Sequence, residues 1–278
     1  MPTSLTPRPD RPPDGLVLTG ERTLPGIADE RYWYLRHVVA YRVAQERLRT
    51  ACAGASGASG GLAGRACTVV DAGCGEGYGL RLLRDAGAAH VLGVDLDERT
   101  VAHARRRYAG PGTGIEVALA ELREIPLPDG AAALTVSFQV IEHLHDIPGF
   151  LTELQRVTAP AGEVLLATPN RLTFTPGSDT PVNPFHTVEF TASELTRLLT
   201  RSGFEVVEVL GLQHAGAIEE AERAHGVLLP RLLGAGPPEA WPAWARTLVH
   251  RTEETDFRWQ ADDLDASLDL LVRCRVGP

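Results

Sequence analysis

The residues able to do chemistry in this chain gather at the ends of apolar runs. Asp71 lies in TVVDAGCGEGYG (68–79), and glycines follow it at every second position: Gly73, Gly75, Gly77 and Gly79. An acid at a strand end, before a glycine loop and a helix start, is where an α/β sheet presents backbone N–H groups to a ligand. A dinucleotide fingerprint needs glycines at relative positions one, three and six. Counting from Gly73 puts Tyr78 at the sixth place, and counting from Gly75 puts Leu80 there. A pyrophosphate cradle is therefore disfavoured, and a ligand lying along the loop is favoured. Asp71 could also serve only to cap the loop by accepting backbone N–H bonds.

Asp95 ends the run HVLGVD about twenty residues further on, where an acid can accept both hydroxyls of a ribose. Its neighbour Asp97 suits the N-cap of the next helix. In SFQVIEHLHD (137–146), Glu142, His143, His145 and Asp146 cluster beyond another apolar run. Imidazole titrates near neutrality and can take a hydroxyl proton, so His143 is a candidate general base, with a positioning or packing role as its equal alternative. His143, His145 and Asp146 as metal ligands would demand convergence from adjacent loop positions, and no metal is expected. The stretch ATPNRLTFTPGSDTPVNPFHTVEFT adds Asn170, Asn183 and His186 on a Pro/Gly-rich loop. Such short polar groups suit a hydroxyl-rich acceptor, and His186 is a second candidate base.

Elements that alternate strand and helix must hold these residues, which is the signature of a parallel sheet. The pattern predicts strands at 67–72, 90–95, 115–119, 132–139, 162–168, 204–210 and 268–274. Helices are expected at 78–87, 98–108, 147–158 and 191–202, the last ended by Gly203. The fold class is α/β: seven strands, mostly parallel and doubly wound (Rossmann-like), with an antiparallel last strand. A tail (1–15), an N-terminal helical cap (16–50) and a small-residue linker (51–64) precede the main domain (65–278). A helical insertion at 213–263, before the last strand, could cover a substrate.

The motif D-x-G-C-G-x-G at the end of the first strand resembles motif I of the class I S-adenosylmethionine (SAM) methyltransferases. In that family the acid corresponding to Asp71 holds the cofactor's ammonium group. The resemblance makes SAM the cofactor and assigns Asp71, Gly73, Gly75, Gly77, Asp95, Leu96, Glu121, Leu122 and Gln139 to its binding. Glu121, five residues before Pro126, would meet the adenine with Leu122. Glu142, His143 and Asp146 match the family's E-H-x-x-D, which brings Gln139 beneath the sulfonium. His143 would then sit near the methyl group, with Glu142, His143 and His186 as the catalytic candidates. T-P-N, N-P-F-H and E-F-T resemble methyltransferases of glycan and sugar biosynthesis. TGERTLPGIADERYWYLRH recurs in that group, with Tyr32, Trp33, Tyr34, Arg36, His37 and Arg22 as possible lid contacts; a helix burying its aromatics accounts for Trp33 and Tyr34 equally well. A finer resemblance, carried by GERTLPGI, ERYWYLRH and DLDASLDLLVRC, is to methyltransferases of the mycofactocin oligosaccharide.

The expected activity is therefore O-methylation of a sugar hydroxyl on a glycan or glycosylated small molecule. Methylation of a nonsugar phenol or polyketide, or SAM binding without catalysis, are the alternatives. A net charge of −9 with scattered arginines excludes a nucleic-acid partner. Four cysteines (52, 67, 74 and 274) lack zinc or disulfide spacing. The absence of a long apolar run or signal-peptide core points to a cytoplasmic protein with no membrane partner.

Overall fold

Strands that are buried on both faces read as continuous apolar runs, and those runs become the centre of an eight-stranded sheet. The computed structural model describes residues 23–54 and 67–276. The expected tail, Arg22 and all of the linker beyond Gly54 lie outside them. Strands β1 (Thr68–Ala72), β2 (His90–Asp95), β3 (Ile115–Leu119), β4 (Ala132–Phe138) and β5 (Thr158–Pro169) pair in parallel in the order β3-β2-β1-β4-β5. Next come β8 (Asp269–Val276), β6 (Phe204–His214) and β7 (Phe257–Gln260). β8 runs antiparallel to both β5 and β6. The mostly parallel sheet with an antiparallel last strand is as expected, but among the described residues it has eight strands rather than seven. The extra strand is β7, four residues long, inside the stretch read as helical insertion.

Helices α2 (Tyr78–Asp85), α3 (Glu98–Tyr108), α4 (Ile147–Val157) and α6 (Ala192–Arg201) stand close to their expected positions. Each start except that of α2 is set by a side-chain cap. Asp97 accepts from Thr100 N at 2.7 Å and Asp146 from Gly149 N at 3.0 Å. Thr191 and Glu194 form a reciprocal capping box. A short α5 (Arg171–Phe174) follows β5. Helix α1 (Arg31–Gly54) runs past the expected end of the cap at residue 50, so the first residues of the expected linker are helical.

The chain divides into two compact units. The first takes residues 23–39 and 214–258, with α7 (Gly216–His225), α8 (Leu229–Gly234) and α9 (Ala243–Arg251). Inside it, buried Tyr32 donates to His214 Nε2 at 2.8 Å, and His214 Nδ1 meets Glu222 at 2.9 Å. Asp29 pairs with Arg246 and His250. The second unit takes residues 40–213 and 259–276 and contains α2 to α6 and most of the sheet. Two apolar layers cover its sheet. One includes Leu48, Leu80, Leu83 and Val101, the other Phe150, Leu151, Leu154, Leu195 and Phe204. Among the described residues, no helix is long and apolar enough to cross a membrane.

Candidate functional site

The site lies in the second unit, at the carboxyl ends of β1, β2, β4 and β5. Asp71 is the fourth residue of β1 and is fully buried. Its Oδ2 accepts from the Tyr41 hydroxyl at 3.0 Å, and its Oδ1 has no partner. Asp71 therefore does not cap the loop through backbone N–H groups. Burial pushes its carboxyl up to about 7; the Tyr41 bond works against the shift and the charge of Asp95 adds to it. A buried carboxylate with an orphaned oxygen is costly unless a ligand completes it, and a cation would do so best.

The loop after Asp71 hangs on the next strand: Gly73 N and Cys74 N both donate to Val94 O, at 2.8 and 3.0 Å. Gly73 needs to be glycine twice over. Its φ is +90°, and a Cβ there would stand 2.4 Å from Val140 Cγ2. The Asp95 carboxylate accepts from Gly75 N at 3.0 Å and from Asp97 N at 2.9 Å, which fixes it at the tip of β2. Leu96 beside it is 67% exposed, an apolar side chain left for a ligand to cover. Glu121 is exposed and bound to Arg123, which also holds Asp146, while Leu122 is half-buried. Gln139 follows β4 with φ +58°, an uncommon backbone for a non-glycine residue and one that clusters at functional sites. Its N–H donates to Ala167 O at 2.8 Å, so the bend is clamped to β5.

The 3-10 turn Ile141–His143 carries the second cluster. Glu142 is 1% exposed, and its Oε2 accepts from Thr168 Oγ1 at 2.9 Å. Burial pushes this carboxyl also up to about 7, against the Thr168 bond and the nearby His186. The Glu142 carbonyl accepts from Thr187 N at 2.7 Å, which ties the turn to the loop carrying His186. His143 and His186 meet edge to face with ring centroids 4.9 Å apart. His143 Nδ1 lies 3.0 Å from Phe185 O and donates to it. Around His186 the proton positions follow from the partners. Asn183 Oδ1 accepts from Phe185 N, so its Nδ2 donates to His186 Nε2 at 3.1 Å. His186 Nδ1 then carries the hydrogen and donates to Glu189 Oε1 at 2.8 Å. Glu189 is buried, and its Oε2 has no partner.

Three residues weighed from the sequence stand outside this cluster. His145 is exposed, and Asp146 is spent on capping α4 and on Arg123. Asn170 is fully buried; its Nδ2 donates to the Leu264 and Ser267 carbonyls at 2.9 Å, and its Oδ1 caps α5. It fastens the end of β5 and offers no face to an acceptor. Three partners went unread in the sequence: Tyr41 for Asp71, Thr168 for Glu142 and Glu189 for His186. Glu189 lies three residues past His186 in irregular chain, where no periodicity signals a contact. Tyr41 lies among the apolar residues of α1, a position that the sequence alone does not distinguish from plain core.

A family model described as a methyltransferase domain matches residues 70–166. A Mycolicibacterium smegmatis protein named "Probable S-adenosylmethionine-dependent methyltransferase" is 44% identical over 265 residues, covering 94% of this chain and 95% of that one. A Mycobacterium tuberculosis protein of the same description is 40% identical over 278 residues, covering 95% and 94%. The crystal structure of an S-adenosylmethionine-dependent methyltransferase from Mesorhizobium loti aligns with a TM-score of 0.50 at 22% identity. It covers 76% of this chain and 91% of that one, a likeness of fold.

Proposed function

The chain belongs to the S-adenosylmethionine-dependent methyltransferases, and from that premise we propose that it methylates a hydroxyl group on a sugar or glycosylated small molecule. It is an enzyme and SAM is its cofactor. The residues present fit that group. SAM brings an ammonium, a ribose diol and a flat base. The orphaned Oδ1 of buried Asp71 suits the ammonium, fixed Asp95 suits the diol, and exposed Leu96 suits the base. Glu121, Leu122 and Gln139 complete the proposed set, with Glu121 shared with Arg123. When bound, SAM supplies an electrophilic methyl group, and alignment of the attacking atom contributes much of the rate.

The single observation that carries the acceptor chemistry is the convergence of Glu142, His143 and His186, whose ligating atoms all lie within 4.8 Å of one another. Such a group suits an oxygen that must lose a proton as it attacks. His143 is the better base of the two imidazoles. Its Nδ1–H is held by Phe185 O, which makes Nε2 the ring's basic nitrogen. His186 is braced on both nitrogens, by Glu189 and Asn183, and acts as a positioning residue. The dense hydrogen bonding of Asn183, His186 and Thr187 supports a hydroxyl-rich acceptor, and the mycofactocin oligosaccharide is a specific candidate. A second reading has its own observation: Leu172, Val182 and Phe185, on the same loop region, are exposed. They favour an acceptor with an apolar portion, such as a phenol, a polyketide or the aglycone of a glycoside.

Incubating the protein and methyl-labelled SAM with small-molecule extracts, followed by mass spectrometry, tests both. Label on a hexose-bearing product supports the sugar reading, and label on an aglycone supports the second. SAM binding with no turnover across extracts and defined sugar acceptors would count against catalysis of this kind.

A further inference from the structure

Two imidazoles and a buried carboxylate that converge from two segments, the turn Ile141–His143 and the loop of His186, form the donor set of a metal site as well as of an acid–base site. The atoms able to ligate lie within 4.8 Å of one another. An ion bonded at about 2.0–2.2 Å sets its ligand atoms about 3–4 Å apart, so small side-chain rotations suffice to close the three on one cation. What separates this cluster from a chance meeting of polar residues is its outer layer. Histidines that hold metals usually pass their other N–H to a carboxylate or a backbone carbonyl, and ligating carboxylates are themselves hydrogen-bonded. All three conditions occur here. His143 Nδ1 donates to Phe185 O at 3.0 Å. His186 Nδ1 donates to Glu189 Oε1 at 2.8 Å, with both side chains almost fully buried. Glu142 Oε2 receives Thr168 Oγ1 at 2.9 Å. Buried Glu189 also keeps Oε2 without a partner, so two buried carboxylates flank the imidazoles and favour added positive charge.

We propose that Glu142, His143 and His186 bind one divalent first-row transition ion (Mn²⁺, Fe²⁺, Co²⁺ or Zn²⁺). A set of two imidazoles and one carboxylate with open positions suits these ions better than Mg²⁺ or Ca²⁺, which prefer all-oxygen ligands. At His186 Nε2 the ion takes the place of the Asn183 N–H. An open position then receives the acceptor hydroxyl. This role of the ion rests on the hydroxyl-methylation reading; its binding does not. With the ion bound, the imidazoles serve as ligands and the cation lowers the pKa of the bound hydroxyl. The proton leaves to solvent and the oxygen attacks the methyl carbon. The carbon–sulfur bond breaks with its electron pair on sulfur, giving the methyl ether and S-adenosylhomocysteine. Without the ion, His143 remains as the weaker, protein-only base.

The test uses the full chain, stripped with EDTA and titrated with Co²⁺, whose visible absorption reports histidine and carboxylate ligation. The expected result is one ion per chain, with the spectrum lost in H143A and in E142Q. Glu189→Gln, which keeps the three ligands, should weaken binding by about 10–100-fold. His145→Ala, at the exposed neighbouring histidine, should bind as wild type. SAM binding by each variant shows that it is folded. Absence of stoichiometric Co²⁺ binding, or equal weakening by H145A and E189Q, overturns the site. If Co²⁺ binds but the stripped enzyme methylates at the full rate, the catalytic role is overturned. A failure of the methyltransfer reading would instead appear as an unlabelled product pool, with metal binding unaffected.

Discussion

At the scale of single residues, the role proposed for Asp71 links cofactor binding to pH. Its carboxyl, pushed up to about 7 by burial, must be ionised to meet an ammonium group. SAM affinity should therefore plateau above pH 7 and fall about tenfold per pH unit below it, as read by calorimetry. Asp71→Ala should abolish binding, and unchanged affinity would remove Asp71 from the cofactor site. His143→Ala should keep SAM binding and lose about 10²–10⁴ in turnover. The strand-end and turn positions of Asp71, Asp95, Glu142 and the glycines were legible in the sequence because strand ends and turns impose local rules. The partners were not. The bond from Tyr41 to Asp71 spans thirty residues, and the Glu189–His186 pair lies in irregular chain where no repeat marks a contact. Asn170 failed for the same reason. As a short polar residue beside the site it looked available, yet the 264–267 segment consumes its amide.

At the scale of elements, the entry to α2 depends on α1. A Cβ on Gly79 would stand 2.2 Å from the Tyr41 ring, so the bare backbone of α2 packs on that side chain of α1. Gly79→Ala should lower both the melting temperature and SAM affinity, because displacing Tyr41 frees Asp71. Tyr41→Phe isolates the hydroxyl: it keeps the ring and removes the bond that holds the Asp71 pKa down. The midpoint of the binding curve should move to higher pH, and an unmoved midpoint would deny Tyr41 this role. On the opposite side of the sequence, Thr191→Ala breaks the capping box of α6 and should cost about 1 kcal/mol by urea unfolding. The helices of the main unit were legible to within a few residues because their caps and apolar spacing are local. β7 was not. Its four residues, FRWQ, are too few to establish an alternation, and only pairing in the sheet makes them a strand.

At the scale of the whole molecule, two buried acids set the pH response of the fold. Asp71 and Glu142 both hold their protons to about 7, whereas unfolded carboxyls release them near 4. Between those limits the native state binds more protons than the unfolded chain, so stability falls as pH rises. Each acid contributes at most about 1.4 kcal/mol per pH unit. The melting temperature of the cofactor-free protein should drop from pH 5 to pH 8, and saturating SAM should reduce the drop by supplying Asp71 with a counter-charge. The double variant D71N/E142Q should flatten the profile, and a flat wild-type profile would contradict it. The sheet order carries a consequence for synthesis. β8 is made after both β5 and β6, yet it fills the place between them. Until residues 269–276 emerge, the twelve-residue β5 presents an open apolar edge, the kind of surface that invites aggregation. Nascent chains arrested before Asp269 should therefore bind chaperones and resist compaction, until one short strand closes the gap between β5 and β6.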